Sequence, residues 1–186
     1  YHGDQPILWW WIAPRLMLKP DAVHVSKSMR TLWRNHQYRI SLNEQFTAVM
    51  IACRNIPRLG QDGTWITDDM IQAYTALHLA GYAHSVEVWE GNQLIGGLYG
   101  VVLGKIFTGE SMFALKPNAS KLAFIYLARV LEEKGFDWID CQQDTPHMRS
   151  LGAHLVEADD FLKILRANQL FILEKGLTGS GKMFDQ

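Results

Sequence analysis

The sequence is poor in cysteine and in long apolar runs. It has two cysteines in 186 residues, Cys53 and Cys141, which are too few for a disulfide framework and suit a reducing compartment. No apolar run approaches the ~20 residues that a membrane helix needs, and the run from Pro6 to Pro14 is bracketed by prolines. No charged-then-apolar leader is visible. These absences predict a soluble protein of the cytoplasm that has no membrane partner.

Metal-ligand patterns and a large net charge are also absent. The seven histidines form no HxxH or HxxxH pair, so we expect no metal. The net charge of −1 is not typical of a nucleic-acid binder. Its distribution is uneven, because residues 1–40 carry six basic and two acidic side chains (+4), so that the remainder sums to −5. Such asymmetry is typical of a protein with two unlike partners, although ordinary charge scatter explains it equally well.

A basic helix is predicted near the start of the chain. Ser26 is a good N-cap for a helix that runs to about Asn35. On this helix Lys27, Arg30 and Arg34 follow a spacing that places them on one face. A basic stripe of this kind is either a solvated face or a grip on phosphate groups.

Two more helices are predicted before residue 80. Asn43 is expected to cap a helix over residues 46–53, and Thr67 to cap a helix that runs through Leu79. Trp65 stands just before the second of these helices, where its large ring is either a lid on the core or a stacking surface.

Residues 83–114 are predicted to form a three-stranded antiparallel meander, because two glycine-containing turn signals separate three apolar stretches. The strands are rich in glycine, which marks bulges or the close approach of a backbone or ligand. Glu110 stands in an otherwise apolar strand, and alternation places it on one face with Thr108 and Met112. The sequence leaves two interpretations open: Glu110 has a functional role, or its side chain faces solvent.

The stretch KGFDWIDCQ carries a second carboxylate in an apolar setting. An amphipathic helix ends there at Gly135, and a strand follows in which alternation places Trp138, Asp140 and Gln142 on one face. An aspartate in an apolar strand is costly to bury unless it is paired or used. Asp140 and Gln142 are therefore either a site or a satisfied core pair. A loop over residues 144–154 and a last helix over about residues 159–168 are expected to follow.

Several stretches occur together in a characteristic order. They are PILWWW with APR, HVSKSMR, QDGTWIT, GYAHSVEVWEGNQLIGGLYGV, GESMF, NASK, and IDCQ with LGAH, between residue 6 and about residue 165. In this order they resemble the bacterial leucyl/phenylalanyl-tRNA–protein transferases. The sequence departs from that family at two places. After the tryptophan pair it has WIAPR where Ser-Pro-Asp-Pro-Arg is usual, and after GESMF it has Ala114-Leu115 where a Ser-Arg pair is usual. It also lacks most of a smaller N-terminal segment.

The resemblance implies an α/β (α+β) fold, a GNAT-like domain whose central, mostly antiparallel sheet is flanked by helices. It divides the chain into a remnant of the N-terminal segment with an entry strand (1–25), the aminoacyltransferase domain (26–172) and a flexible tail (173–186). It implies transfer of Leu or Phe from aminoacyl-tRNA to the α-amino group of proteins that begin with Arg or Lys, which marks them for degradation. No cofactor is implied, and we expect a monomer.

The resemblance assigns Asp140 and Gln142 to the catalytic centre, and Glu110 fits as a further carboxylate. Leu or Phe needs an apolar pocket of fixed depth, and the terminal adenosine needs an aromatic ring to stack on. Substrate-binding candidates are Trp65, Tyr74, Leu98, Phe107, Met112 and Leu127, and candidates for contact with tRNA phosphates are Lys27, Arg30 and Arg34.

Two other functions remain open from the sequence. An acyl-CoA-dependent N-acyltransferase would share the fold, but it needs a glycine-rich pyrophosphate loop where this chain has LKPNASK. A non-catalytic RNA-binding module is the alternative from another class, and the near-neutral charge and the carboxylates in apolar strands count against it.

Overall fold

The computed structural model describes residues 12–35, 38–57 and 63–175, with side chains to residue 168. The stretch PILWWW and the tail beyond residue 175 lie outside the described residues. In chain order the elements are β1 (Arg15–Leu18), a 3-10 turn (Pro20–Ala22), α1 (Lys27–Arg34), β2 (Arg39–Leu42), α2 (Phe46–Asn55), α3 (Asp68–Leu79), β3 (Ala83–Glu90), β4 (Gln93–Leu103), β5 (Ile106–Ala114), α4 (Ala119–Glu133), β6 (Trp138–Gln142), α5 (Pro146–Ser150), β7 (His154–Val156) and α6 (Ala158–Lys175).

The strands form one seven-stranded sheet in the order β2-β3-β4-β5-β6-β1-β7. Each neighbouring pair is antiparallel except β5 and β6, which are parallel. Helices flank this mostly antiparallel sheet, so the predicted α/β class is confirmed, and so is the meander over residues 83–114.

Two apolar cores lie on opposite faces of the sheet, because their members alternate along the strands. Val86 and Leu98 belong to the core beneath α4, whereas Tyr99 and Phe113 belong to the core beneath α2 and α3. The face beneath α4 and the face beneath α2 and α3 are named the α4 face and the α3 face below.

The predicted caps at two helices are confirmed. The Ser26 hydroxyl accepts the backbone N–H of Met29, and the Thr67 hydroxyl accepts that of Met70. Each of these bonds satisfies a backbone donor that the first helical turn leaves free. After α4, Gly135 has a φ of 72°, a conformation that favours glycine.

The prediction that Asn43 caps α2 is wrong. The N-cap position is Gln45, without a side-chain cap, and Asn43 instead accepts the backbone N–H of Ser85. A carboxylate from the sheet supplies the missing acceptor, since Glu87 accepts the backbone N–H groups of Glu44 and Gln45 at 3.4 and 3.3 Å. Sequence reasoning missed this arrangement because the acceptor lies more than 40 residues along the chain from the two N–H groups that it binds.

The last third of the chain is more ordered than expected. The predicted loop over residues 144–154 contains helix α5 and the first residue of edge strand β7, and the last helix runs from Ala158 to Lys175 rather than over residues 159–168. Within the described ranges, no helix is both long and apolar enough to cross a bilayer.

Candidate active site at a gap between two strands

A bulge in β5 sets the direction of Glu110. In the pairing of β4 with β5, Tyr99 lies opposite Ser111 and Gly100 lies opposite Gly109, so Glu110 is left without a partner. A bulge of this type reverses the alternation of the side chains that follow it. Glu110 accordingly hydrogen-bonds with Tyr74 of α3, while Met112 packs on the core beneath α4. The expectation that Glu110 and Met112 share a face is wrong for this reason.

A second irregularity lies at the end of β6. In the pairing of β1 with β6, Leu16 lies opposite Gln142 and Met17 lies opposite Asp140, so Cys141 is skipped. Gln142 has a φ of 61°, a left-handed conformation that costs a non-glycine residue free energy. Asp140 and Gln142 therefore line the same cleft through a local distortion rather than through simple strand alternation.

The cleft opens where β5 and β6 separate. These strands pair only from Ile106 to Thr108 on β5 and from Trp138 to Asp140 on β6. Beyond this point lies a cavity of about 510 Å³ whose lining comes from both faces of the sheet. On the α4 face, the apolar lining includes Leu98, Phe107, Met112, Phe124, Leu127 and Ile139. The gap thus joins an apolar pocket on one face to polar groups on the other.

Asp140 is 2% exposed and its carboxylate is held by a cation. The guanidinium of Arg15 donates from Nε to Oδ1 at 2.9 Å and from Nη2 to Oδ2 at 2.8 Å. The backbone N–H of Gln142 also donates to Oδ1, at 2.9 Å. Both carboxylate oxygens are therefore engaged. Sequence reasoning missed Arg15, although a buried aspartate requires a donor of this kind.

The amide of Gln142 has a defined orientation. Its Nε2 donates to the carbonyl oxygen of Gly109 at 2.7 Å, and the side chain also hydrogen-bonds with the carboxylate of Glu110. Both of these partners accept hydrogen bonds, so the NH₂ group must face them. The carbonyl oxygen Oε1 of Gln142 is then the atom that can accept a hydrogen bond from a substrate.

The surroundings of Glu110 shift the pKa of its carboxyl group. Burial raises its pKa, and the nearby Asp140 carboxylate adds to the rise, while hydrogen bonds from Tyr74 and Gln142 and the charge of Arg15 oppose it. Burial also raises the pKa of Tyr74, and Glu110 raises it further, so Tyr74 remains a hydrogen-bond donor at neutral pH. Burial likewise raises the pKa of the Cys141 thiol, which therefore stays protonated beside the cleft.

The remaining substrate-binding candidates converge on the same place. Leu98, Phe107 and Leu127 are at most 3% exposed and line the pocket. Trp65 is half-buried, lines the cleft and meets Tyr74 edge to face, with ring centroids 6.5 Å apart. Trp65 is thus both a neighbour of the α3-face core and a wall of the cleft.

The basic stripe lies apart from the cleft. Lys27, Arg30 and Arg34 are exposed on α1, as predicted for one helix face. Arg30 donates from Nε to the carbonyl oxygen of Val25 at 3.1 Å. The stripe borders α4, since Arg30 and Arg34 share a small surface pocket with Ile125 and Arg129.

Some lining residues gave no signal in the sequence. Ser120 from α4 and His147 from α5 reach the cleft, as do Thr145 and Gln143. Burial lowers the pKa of His147, and its Nε2 has no hydrogen-bond partner among the described residues. In the described part of the chain, no group of three or more His, Cys, Asp or Glu side chains could hold a metal ion.

Comparisons with known proteins match this chain to one family. The family described as leucyl/phenylalanyl-tRNA protein transferase matches residues 17–166. The chain is 49% identical over 166 residues to the leucyl/phenylalanyl-tRNA–protein transferase of Hydrogenovibrio crunogenus, covering 89% of this chain and 65% of that protein. It is 50% identical over 168 residues to that of Chromobacterium violaceum (90% and 72%) and 49% identical over 166 residues to that of Pseudomonas fluorescens (89% and 73%).

These matches define the class of protein, a family of tRNA–protein transferases. The chain belongs to the leucyl/phenylalanyl-tRNA–protein transferase family, and it spans about two thirds to three quarters of the length of these relatives.

Solved structures resemble it more distantly. A functionally unknown conserved protein from Staphylococcus epidermidis has a TM-score of 0.49 at 12% identity, covering 76% of this chain and 56% of that chain. An aminoglycoside acetyltransferase from a soil metagenome has a TM-score of 0.47 at 15% identity, covering 72% and 88%. Neither similarity bears on function.

Proposed function

We propose that this chain transfers Leu or Phe from aminoacyl-tRNA to the α-amino group of proteins that begin with Arg or Lys, forming a peptide bond and marking the acceptor for degradation. One observation carries the proposal: in a member of this family, the gap between β5 and β6 joins an apolar pocket to Gln142 and Glu110. We also propose that the enzyme acts as a monomer in the cytoplasm, where charged tRNA is made.

The donor side chain is assigned to the pocket on the α4 face. Leu98, Phe107 and Leu127 give this pocket an apolar wall that suits Leu or Phe. Discrimination against shorter side chains would be modest, about 1–3 kcal/mol per methylene. With the side chain in this pocket, the ester carbonyl would lie at the strand gap and the terminal adenine would stack on Trp65.

The reaction does not require a strong general base. The acceptor nitrogen attacks the ester carbonyl, a C–N bond forms, the C–O bond to the ribose breaks, and the proton lost from nitrogen passes to the ribose oxygen. The α-amino group of a protein has a pKa of roughly 7.7–8.0, so part of it is already neutral near pH 7.5. Correct placement of the amine can therefore supply much of the rate.

Gln142 is assigned to place the acceptor amine. Its NH₂ group faces Gly109 and Glu110, so Oε1 is the amide atom that remains to accept an amine N–H. An amide is a poor base, and placing the amine requires only a hydrogen bond that orients the nitrogen lone pair.

Glu110, rather than Asp140, is assigned to hold a cationic group of the substrates. The carboxylate of Asp140 is already occupied by Arg15 and by the backbone of Gln142. Glu110 lines the cleft and its negative charge can attract the α-ammonium group of the aminoacyl donor.

The exposed stripe of Lys27, Arg30 and Arg34 is assigned to tRNA phosphates. Each phosphate contact releases counterions, so the affinity for tRNA should fall as salt rises, with a slope reduced by about one for each contact removed. Lys163 on α6, which pairs with Asp160, is the matched control for loss of an exposed cation. A salt slope that is unchanged when the three stripe residues are replaced by Gln would exclude this assignment.

One comparison of substrates tests the function. Radiolabelled leucyl-tRNA is supplied with a peptide that begins with Arg, with the same peptide beginning with Ala, or with an N-acetylated copy; acetyl-CoA replaces the tRNA in a parallel reaction. We expect label only in the free Arg peptide. Transfer from acetyl-CoA would favour the acyl-CoA alternative, and tRNA binding without any transfer would favour a non-catalytic RNA-binding module.

A further inference from the structure

Arg15 is the first residue of β1 and forms the only cation contact described for Asp140. Its Nε lies 2.9 and 3.1 Å from the two carboxylate oxygens and its Nη2 lies 2.8 Å from Oδ2, so the guanidinium binds the carboxylate through two nitrogens. Its side chain is 14% exposed, and the ring of Phe161 lies 5.3 Å from its Cζ. Three elements, β1, β6 and α6, thus fix one guanidinium.

The Asp140 carboxylate, held in place by Arg15, in turn fixes the backbone of Gln142. It accepts the backbone N–H of Gln142 at 2.9 Å, at the residue whose φ is 61°. That conformation needs compensation in a residue with a side chain. The hydrogen bonds of Gln142 to Asp140 and to the Gly109 carbonyl supply it. The direction of the Gln142 amide therefore depends on where Asp140 is held.

We infer that Arg15 is a positioning residue for the acceptor step. It acts through Asp140 to hold Gln142 in the conformation that aims Oε1 at the acceptor amine. Arg15 is not among the residues that line the cleft, so it need not touch either substrate. The flat guanidinium matches both carboxylate oxygens at once, which the point charge of a lysine does not do. The inference deepens the proposed function and rests on it for its kinetic test.

The kinetic test compares Arg15→Gln and Arg15→Lys with Arg149→Gln. Arg149 also binds a carboxylate through two nitrogens, that of Asp144, but on the exposed surface. We expect Arg15→Gln to lower kcat by about 10²-fold, as for small displacements of a reacting group, with the KM for leucyl-tRNA changed by less than about twofold. Arg15→Lys should restore part of kcat, and Arg149→Gln should match wild type. Equal losses in Arg15→Gln and Arg149→Gln, or a loss confined to KM, would overturn the inference.

A double-mutant cycle separates a positioning role from simple stabilisation. If Arg15 acts only through Asp140, then Arg15→Gln combined with Asp140→Asn should be no slower per folded molecule than Asp140→Asn alone. Additive losses in kcat would contradict the proposed route. Circular dichroism gives the folded fraction of each variant, and Arg15→Lys, which keeps the charge, supplies the comparison if Arg15→Gln does not fold.

A measurement independent of activity keeps this test distinct from that of the function. The side-chain amide resonances of Gln142, assigned by NMR, should shift in Arg15→Lys and stay in place in Arg149→Gln. An inactive wild-type enzyme with the expected amide shifts would refute the proposed function and retain Arg15 as the residue that sets Gln142. If the wild-type enzyme is active but the Gln142 amide resonances do not shift in Arg15→Lys, the proposed function is retained and the positioning role of Arg15 is refuted.

Discussion

Glu87 and Asp140 are both carboxylates buried in the middle of apolar strands, yet only one lies beside a cleft. Glu87, which is fully buried, accepts the hydroxyls of Ser41 and Ser85, each at 2.6 Å, and its charge faces the start of α2. Asp140 is held by the guanidinium of Arg15 instead. The first arrangement completes a helix end, and the second supports the residue proposed to place the acceptor amine.

The difference lies in the sheet around each carboxylate. Glu87 sits on β3 between two strands that stay paired on both sides of it, with Ser41 opposite it on β2 and Gly97 opposite it on β4. A register shift between Val88 and Trp89 does not end the pairing with β4. Asp140 lies at the last paired position between β5 and β6, where the strands begin to separate. A buried acid in a strand therefore indicates a site only when the sheet opens beside it.

The largest effect is expected when each of the two buried carboxylates is replaced by its amide. Asp140→Asn should lower transfer by at least about 10²-fold. It should also reduce the free energy of unfolding by roughly 3–5 kcal/mol, because the guanidinium of Arg15 loses its buried partner. Glu87→Gln should cost about 1–3 kcal/mol in unfolding, since donors near it lose an acceptor, and leave transfer per folded molecule unchanged.

Urea unfolding and initial transfer rates at a temperature where all proteins are folded measure both quantities. The ion pair between Arg15 and Asp140 is the reason that we expect Asp140→Asn to lose stability as well as activity. Loss of transfer in Glu87→Gln comparable to that in Asp140→Asn would remove the distinction between the two carboxylates.

The next effect isolates the amide that Asp140 supports. Gln142→Ala should lower kcat by about 10²-fold, because the acceptor amine loses the atom that orients it. The KM for leucyl-tRNA should change little. Gln143, the neighbouring and exposed amide at the edge of the same cleft, is the matched control, and Gln143→Ala should retain the wild-type kcat. Similar kcat values for the two variants would show that Gln142 does not place the amine.

A smaller effect is expected on the donor side of the cleft. Trp65→Ala should raise the KM for leucyl-tRNA about tenfold and lower kcat less, because base stacking on an aromatic ring contributes about 1–3 kcal/mol. Trp89, which donates to Ser41 beside Glu87, is the control from the continuous part of the sheet. Steady-state rates at varied tRNA concentration measure both constants. An unchanged KM in Trp65→Ala would assign Trp65 to the core alone.

The sequence predicts the continuous part of the sheet better than the gap. Caps at Ser26 and Thr67 and the meander over residues 83–114 arise from signals within a few residues, and they are confirmed. The candidates Asp140, Gln142 and Glu110 meet at one cleft. Their roles stay predictions.

What the sequence does not reveal depends on distant pairing. Arg15 and Asp140 are 125 residues apart in the chain, and β1 is inserted between β6 and β7 although it comes first. The bulges at Glu110 and Cys141 follow from the register of neighbouring strands. The glycines of the strands indicate that bulges occur, but they do not show where the register shifts. Strand alternation therefore selected Asp140 and Gln142 as neighbours, although a local distortion at Cys141 brings them to the cleft, and it misplaced Glu110 relative to Met112.

The smallest expected effect concerns the charge of Glu110. Its pKa is raised, chiefly by burial, so it takes up a proton at a higher pH than an ordinary glutamate does. If Glu110 attracts the α-ammonium of the donor, the affinity for an amide-linked leucyl-adenosine should fall as pH is lowered through this raised pKa. Calorimetric titration across that range measures it. Glu110→Gln should weaken binding several-fold at pH 7 and make it independent of pH.

The raised pKa of Glu110 should affect the stability of the fold and the affinity for the donor in opposite directions. Lowering the pH should weaken binding, whereas raising the pH should lower stability. A carboxyl whose pKa is higher in the folded than in the unfolded state contributes stability that is present below the unfolded pKa and is lost as pH rises through the folded pKa. Glu110→Gln should thus be neutral or stabilising at pH 7, whereas Glu87→Gln is destabilising. If Glu110→Gln weakens binding of the donor without lowering the free energy of unfolding, the charge of Glu110 serves substrate binding rather than stability. Loss of stability in Glu110→Gln equal to that in Glu87→Gln would instead make both glutamates structural and leave Asp140 as the distinctive carboxylate.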